Sequence, residues 1–153
     1  MSQFTDIVQV GIVARDKARV LEHMEKVLGA VPSRTLLTID DDARVYRGEK
    51  GDFSAELIFY QFGAVELEFI IPLEGKSIWR DFLEDKGEGL HHVKFNVGSF
   101  EDSRKQMSEA GIGMMQEGNS ATGIPGLKWG YFDSTGLLDF IVEIGNRKEV
   151  DNA

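Results

Sequence analysis

The chain contains the same order of secondary-structure elements twice, and this repetition is the feature that most limits its possible folds. In each half, alternating apolar residues predict a strand, a helical apolar period follows and ends at a glycine, and three more strand-like segments come next. The helix-ending glycines, Gly29 and Gly111, are 82 residues apart, and the polar positions Gln9 and His92 of the opening strands are 83 residues apart. Such nearly equal offsets indicate a duplicated module.

The two halves predict an α+β fold in which two βαβββ modules form one curved mixed sheet. We expect a single domain over residues 1–153, with module 1 at 6–72, a connector at 73–89 and module 2 at 90–145. The predicted strands are 6–14, 34–39, 55–61, 65–71, 90–97, 113–116, 127–132 and 139–144. The predicted helices are 16–28, a short amphipathic one around residues 78–83, and 99–110.

Composition limits the partners of the chain. The 17 basic and 26 acidic residues give a net charge of −9, which repels nucleic acid and anionic lipid surfaces. The chain has no cysteine, so disulfides and thiolate metal sites are excluded and a metal would need nitrogen and oxygen ligands. No signal sequence and no apolar segment near ~20 residues is found, so a cytoplasmic protein without membrane contact is expected.

The stretch GEGLHHVKFNV, residues 87–97, holds two of the three histidines. Because side chains alternate along a strand, His92 is predicted on the polar face with Lys94, and His91 on the apolar face with Val93. A single strand histidine is most often a half-buried, hydrogen-bonded side chain, so other residues are needed to indicate a site.

Each half opens on a strand with one polar candidate and closes on a strand with a carboxylate. These residues are Gln9, Glu68, His92 and Glu143. An imidazole, two carboxylates and an amide oxygen suit a divalent ion such as Zn²⁺, Ni²⁺, Co²⁺, Mn²⁺ or Fe²⁺. A glutamate on a strand is more often solvated, but the matched positions in the two halves favour a shared metal site.

Three segments carry a family resemblance: IVQVGIVARDKARVLEHMEKVLGA, PLEGKSIWRDFLEDKGEGLHHVKFNV and DFIVEI. They resemble the vicinal oxygen chelate superfamily, whose fold is also called the glyoxalase/bleomycin resistance/dioxygenase fold, and especially glyoxalase I and methylmalonyl-CoA epimerase. The resemblance covers about residues 6–145, and GEGLHHVKFNV with the preceding PLEGKSI is similar to the epimerase branch. It implies that Gln9, Glu68, His92 and Glu143 are the metal ligands and that His91 faces away from the metal.

The resemblance points to two branches. Epimerases usually carry histidine at the position of Gln9 and glutamine at that of Glu68, whereas the set Gln, Glu, His, Glu resembles glyoxalase I. Glu56, in SAELIF, lies where the epimerase branch has a second catalytic carboxylate, although an exposed strand position is the more common interpretation of such a glutamate.

The resulting expectation is a metal-dependent lyase or isomerase, similar to lactoylglutathione lyase or methylmalonyl-CoA epimerase. It would move a proton next to a carbonyl or thioester through a metal-stabilised enediolate, with Glu143 and Glu56 as the catalytic bases. One alternative is a non-catalytic, antibiotic-type binding protein of the same fold, with aromatic side chains lining its cleft: Phe59, Tyr60, Trp129 and Tyr131. A ring-opening dioxygenase is the weaker alternative, because it normally needs two histidines on iron.

A small-molecule substrate is expected, but its identity is left open. The chain has no glycine-rich phosphate loop, and Lys94, Arg44 and Arg47 are each expected to be solvated rather than to meet an anion. The family resemblance also implies a homodimer.

Overall fold

The computed structural model describes residues 3–146, which form ten strands and four helices. The strands are β1 (Phe4–Val13), β2 (Arg34–Leu37), β3 (Val45–Tyr46), β4 (Glu49–Lys50), β5 (Ala55–Phe62), β6 (Val65–Pro72), β7 (Gly89–Val97), β8 (Met114–Asn119), β9 (Lys128–Phe132) and β10 (Ile141–Asn146). The helices are α1 (Lys17–Leu28), α2 (Ile78–Lys86), α3 (Phe100–Glu109) and α4 (Thr135–Leu138).

All ten strands belong to one mixed sheet with the order β2-β5-β6-β1-β7-β10-β9-β8-β3-β4. The opening strands β1 and β7 pair antiparallel in the middle. The closing strand of each half lies parallel beside the opening strand of the same half, β6 beside β1 and β10 beside β7. The predicted α+β fold class with a curved mixed sheet is therefore confirmed, and the four strands that carry the candidate ligands are direct neighbours.

Helices α1 and α3 cover the outer face of the sheet. Helix α1 begins after Asp16, whose side chain accepts a hydrogen bond from the Arg19 backbone N–H, and it ends at Gly29, whose φ of 62° suits a residue without a Cβ. Its buried Val20 and Met24 pack against Ile58 and neighbouring residues of β5 and β6. Helix α3 packs in the same way against β9 and β10.

The inner face of the sheet has its own apolar cluster. Phe53, Leu57, Phe59, Trp79 and Tyr131 are buried members of this cluster. Trp79 comes from α2, which begins after Ser77, whose hydroxyl accepts a hydrogen bond from the Arg80 backbone N–H. The predicted short amphipathic helix is therefore present, and it supplies one wall of the inner face.

The hairpin of β3 and β4 was not predicted from the sequence. It belongs to the first half of the chain, yet it extends the far edge of the second half, where Val45 pairs with Glu117 and Tyr46 with Gln116. Strands of two residues carry no measurable alternation, and the same limit applies to the four-residue helix α4.

Among residues 3–146, no helix has the length and apolar character needed to cross a membrane.

Candidate metal centre

The four candidate ligands lie on four adjacent strands of the inner face. Gln9 is on β1, Glu68 on β6, His92 on β7 and Glu143 on β10. On β10 the flanking Val142 and Ile144 pack toward α3, so alternation turns Glu143 to the opposite face. All four residues are buried, with only 2 to 6% of their surface exposed.

The strand register relates the two carboxylates to each other. Glu68 pairs with Gly11, which lies two residues after Gln9 on β1. Glu143 pairs with Lys94, which lies two residues after His92 on β7. The two carboxylates therefore occupy matching positions beside the central pair of strands, and this register brings them toward one point.

His92 Nε2 lies at the centre of the cluster. It is 2.8 Å from Glu143 Oε2, 3.1 Å from Gln9 Oε1 and 3.6 Å from Glu68 Oε1. The single N–H that Nε2 can carry serves only one of these oxygens, and within residues 3–146 Glu143 Oε2 has no hydrogen-bond partner. Ligand atoms of Glu68, His92 and Glu143 all lie within 4.8 Å of one another, so this buried group could hold a metal ion.

The donor chemistry fits a divalent cation. Two carboxylates, an imidazole and an amide oxygen form a hard to borderline set of ligands. Their oxygen lone pairs face His92 Nε2, which has at most one proton to share, so a cation would stabilise the group. A buried carboxylate oxygen without a hydrogen bond, such as Glu143 Oε2, is destabilising, and a bound cation would relieve this cost.

A β-bulge in β7 changes the expected orientation of His91. Gly11 pairs with His92 but Ile12 pairs with Leu90, so His91 is the extra residue that breaks the alternation. Both imidazoles therefore lie on the same side, with their Nδ1 atoms 3.0 Å apart. The expectation that His91 and His92 lie on opposite faces of β7 was wrong, because simple alternation does not hold across a bulge.

His91 also packs, as the sequence indicated for the first histidine. Its ring makes edge contacts with Phe82 of α2 and with Tyr131 of β9. Burial and the neighbouring His92 together lower the pKa of His91 well below its usual value, so the ring is neutral. A neutral imidazole can accept a hydrogen bond from Nδ1–H of His92, which is the role that outer partners of metal-bound histidines usually play.

The two carboxylates have different electrostatic environments. Burial, reinforced by the nearby Glu143, raises the pKa of Glu68 well above its ordinary value. Burial acts in the same direction on Glu143, but the charges of Lys94 and His92 outweigh it and lower the pKa of Glu143. Without an ion, Glu143 is therefore the more readily ionised of the two.

Glu66, which was not predicted as a site residue, fixes the orientation of Gln9. The Gln9 amide Nε2 donates to Glu66 Oε1 at 2.8 Å, which leaves Gln9 Oε1 directed at His92. Arg34 holds the other Glu66 oxygen at 3.3 Å, and its guanidinium lies 4.3 Å from the Phe59 ring centroid. Glu66 follows the alternation of Glu68 on β6, and this spacing was the available signal.

Glu56 is not part of the cluster. It lies on β5 between Ala55 and Leu57 of the inner cluster, so alternation turns it to the outer face, where it forms an ion pair with Lys17 of α1. The prediction of Glu56 as a second catalytic carboxylate is therefore not supported by its position. The same alternation places Tyr60 in the outer cluster beneath α1, so Tyr60 does not line the cleft.

A cleft of about 640 Å³ leads to the centre. Its walls include the expected Phe59, Trp129 and Tyr131, together with Phe53 and Trp79, which were not predicted as lining residues. Gln9, Glu68 and Glu143 also face the cleft. The arrangement is typical of a ligand site, in which apolar walls surround a few convergent polar groups.

Sequence and structure comparisons agree with this architecture. Residues 8–131 match the family described as Glyoxalase/Bleomycin resistance protein/Dioxygenase superfamily. An uncharacterized protein of Bacillus subtilis (strain 168), YqjC, is 41% identical over 51 residues, which are 33% of this chain and 36% of that protein. The chain thus matches only about a third of the length of that relative.

Three solved structures share the fold over nearly the whole chain. A hypothetical protein from Bacillus halodurans C-125 has a TM-score of 0.69 at 19% identity, covering 94% of this chain and 95% of that one. Methylmalonyl-CoA epimerase from Mycobacterium tuberculosis has a TM-score of 0.69 at 17% identity, covering 96% of this chain and 91% of that one. Methylmalonyl-CoA epimerase from Streptomyces coelicolor, in complex with 2-nitronate-propionyl-CoA, has a TM-score of 0.70 at 16% identity, covering 98% of this chain and 99% of that one. With the family match over most of its length and this fold, the chain belongs to the glyoxalase/bleomycin resistance protein/dioxygenase superfamily.

Proposed function

We propose that the protein is a metal-dependent lyase or isomerase that moves a proton next to a carbonyl or thioester group, as glyoxalase I or methylmalonyl-CoA epimerase does. The observation that carries this proposal is the buried His92 Nε2, which faces oxygen atoms of Gln9, Glu68 and Glu143 at 2.8 to 3.6 Å. Family membership also supports the proposal, as does the cleft that Gln9, Glu68 and Glu143 line.

Gln9, Glu68, His92 and Glu143 would hold the ion. When bound, a divalent ion polarises a carbonyl oxygen and stabilises the negative charge that develops on it, which contributes several kcal/mol. The four ligand side chains are almost fully buried, and this strengthens the charge interactions among them.

Glu143 is the proposed proton acceptor. Its Oε2 has no hydrogen bond within the described residues, and its lowered pKa keeps it ionised and able to accept a proton. Because Glu56 lies on the outer face, it cannot serve as a second base in the cleft, so Glu143 would act both as a ligand and as the base. A single base that removes and returns the proton is closer to the glyoxalase type of shuttle.

Metal analysis and proton exchange test the proposal. We expect protein purified with metal supplementation to contain one divalent ion per chain and to catalyse exchange of the proton next to the carbonyl. Suitable substrates for nuclear magnetic resonance are methylmalonyl-CoA, hemithioacetals and small 2-oxo acids. His92→Ala should lose metal and exchange together, whereas His91→Ala should keep the metal with affinity reduced by about 10- to 100-fold, since it removes only the outer partner.

Protein that binds no ion under these conditions would contradict the proposal and favour the non-catalytic binding protein, whose ligand the aromatic walls would hold. Equal metal loss in the two histidine variants would remove His92 as a specific ligand. Association into a homodimer stays a prediction, and light scattering at micromolar concentration tests it.

A further inference from the structure

We propose that Lys94 forms an anion subsite beside the metal centre, and that the substrate therefore carries a carboxylate close to the carbonyl that faces the ion. This inference rests on the proposed metal site and narrows its substrate class. Lys94 was expected to be solvated, but it lies in the cleft wall with 24% of its side chain exposed.

The position of Lys94 follows from the central strand pairing. It lies on β7 two residues after His92, and it pairs with Gln9 on one side and Glu143 on the other. Its Nζ is 3.6 Å from Glu143 Oε1, which is longer than a hydrogen bond. An ammonium group has three N–H donors, so Lys94 keeps donors for a ligand in the cleft.

Gly145 provides the space for this lysine. A Cβ atom on Gly145 would lie 2.5 Å from Lys94 Cε and 3.2 Å from Nζ, so any other residue there would displace the end of the side chain. Gly145 lies on β10, two residues after Glu143. The glycine thus directs the ammonium along the inner face, close to the proposed ion, rather than away from the sheet.

The charges of the cleft favour an anionic ligand. Three basic and three acidic side chains line it, so their charges cancel, and a divalent ion would leave a surplus of two positive charges. Two of the cations are closely held: Arg34 lies on Phe59 and pairs with Glu66, and Arg44 donates to the Phe53 carbonyl oxygen at 2.7 Å. Lys94 has the longest ion pair of the three and is the cation beside the proposed ion.

This geometry selects a class of substrate. In such a substrate the carboxylate is bonded directly to the carbonyl carbon or is separated from it by one carbon. The carbonyl oxygen can then face the ion while the carboxylate binds Lys94. The class includes 2-oxo acids and malonate half-thioesters. A neutral hemithioacetal has no anionic group at that place, so it would gain no ion pair with the partly buried Lys94 ammonium and would bind less tightly.

Oxalate binding tests the inference with Mn²⁺-loaded protein and isothermal titration calorimetry. Oxalate should bind the wild-type chain at least 10-fold more tightly than oxamide, its neutral isostere. Lys94→Met should weaken oxalate binding at least 10-fold, and Mn²⁺ affinity should stay equal or rise, because a neighbouring positive charge has been removed. Lys128→Met is the matched control: Lys128 is an exposed strand lysine outside the cleft, and oxalate binding should change less than twofold.

Lys94→Gln serves as a second neutral variant if the methionine variant does not fold, with folding followed by circular dichroism. Mn²⁺ binding together with equal oxalate affinity in wild type and the Lys94 variants would overturn the subsite and leave the metal site intact; Lys94 would then only neutralise Glu143. Equal affinity for oxalate and oxamide would also overturn it. Failure of the wild-type chain to bind Mn²⁺ would overturn the metal site and the subsite together.

Discussion

Gly11 lies directly opposite His92 in the antiparallel pairing of β1 with β7, and the imidazole occupies the space that a side chain on Gly11 would need. A Cβ atom on Gly11 would fall 1.8 Å from His92 Cε1 and 2.3 Å from Nε2. The missing side chain on one strand therefore sets the position of the nitrogen on the other, and the proposed metal centre depends on a residue that contributes no ligand atom.

Gly11→Ala should displace the His92 ring, because the new methyl group overlaps ring atoms rather than the end of a flexible chain. We expect metal affinity, measured by calorimetry, to fall at least about 10-fold, since a shifted ligand loses its geometry. Gly113→Ala is the control, because a Cβ atom there has no neighbour within 4 Å. Unchanged metal affinity in Gly11→Ala would show that His92 is not held in this orientation.

Glu66→Ala should weaken metal binding by about 10- to 100-fold, since the Gln9 amide loses the acceptor that turns its oxygen toward His92. Glu66→Gln also loses the ion pair with Arg34 but keeps an oxygen that accepts from Gln9 Nε2. It should therefore bind metal within a few-fold of wild type. If both variants lose affinity equally, the charge of Glu66 matters and the orientation of Gln9 does not.

Glu68→Gln should stabilise the metal-free protein, and more so as the pH rises. The pKa of Glu68 in the folded state is raised above its ordinary value of about 4.5, so above that pH the folded state holds a proton that the unfolded state has lost. The free energy of unfolding of the wild type therefore falls as pH rises, and glutamine removes this loss. Urea denaturation with a chelator at pH 5 and pH 8 measures the difference between variant and wild type.

Glu22→Gln, at an exposed position of α1, is the control for this experiment, and its effect should be similar at the two pH values. A Glu68→Gln variant whose advantage is largest at pH 5 would contradict the burial and repulsion described for this carboxyl.

Glu56→Gln should leave metal content and proton exchange close to wild type, because its side chain lies on the outer face with Lys17. Loss of this partly exposed ion pair should change the free energy of unfolding by about 1 kcal/mol or less. A fall in the exchange rate of ~10²-fold with folding intact would restore Glu56 as a catalytic base.

The sequence alone determined the class of fold. The repeated element order and the near-equal offsets predict the mixed sheet, and the glycine after α1 marks its end correctly. Strand alternation likewise puts Glu68 opposite Leu67 and Phe69, and Glu143 opposite Val142 and Ile144. These inferences succeed because helix and strand periods are local properties, which the chain expresses within each element.

Tertiary structure alone decided the details of the centre. A bulge turned His91 to the side of His92, strand pairing brought Gly11 under the imidazole, and alternation on β5 sent Glu56 outward to Lys17. Register between strands depends on contacts between residues far apart in the chain, and a shift of one residue reverses every face. The sequence therefore indicates which residues can form a site, but the register between strands determines which of them come into contact.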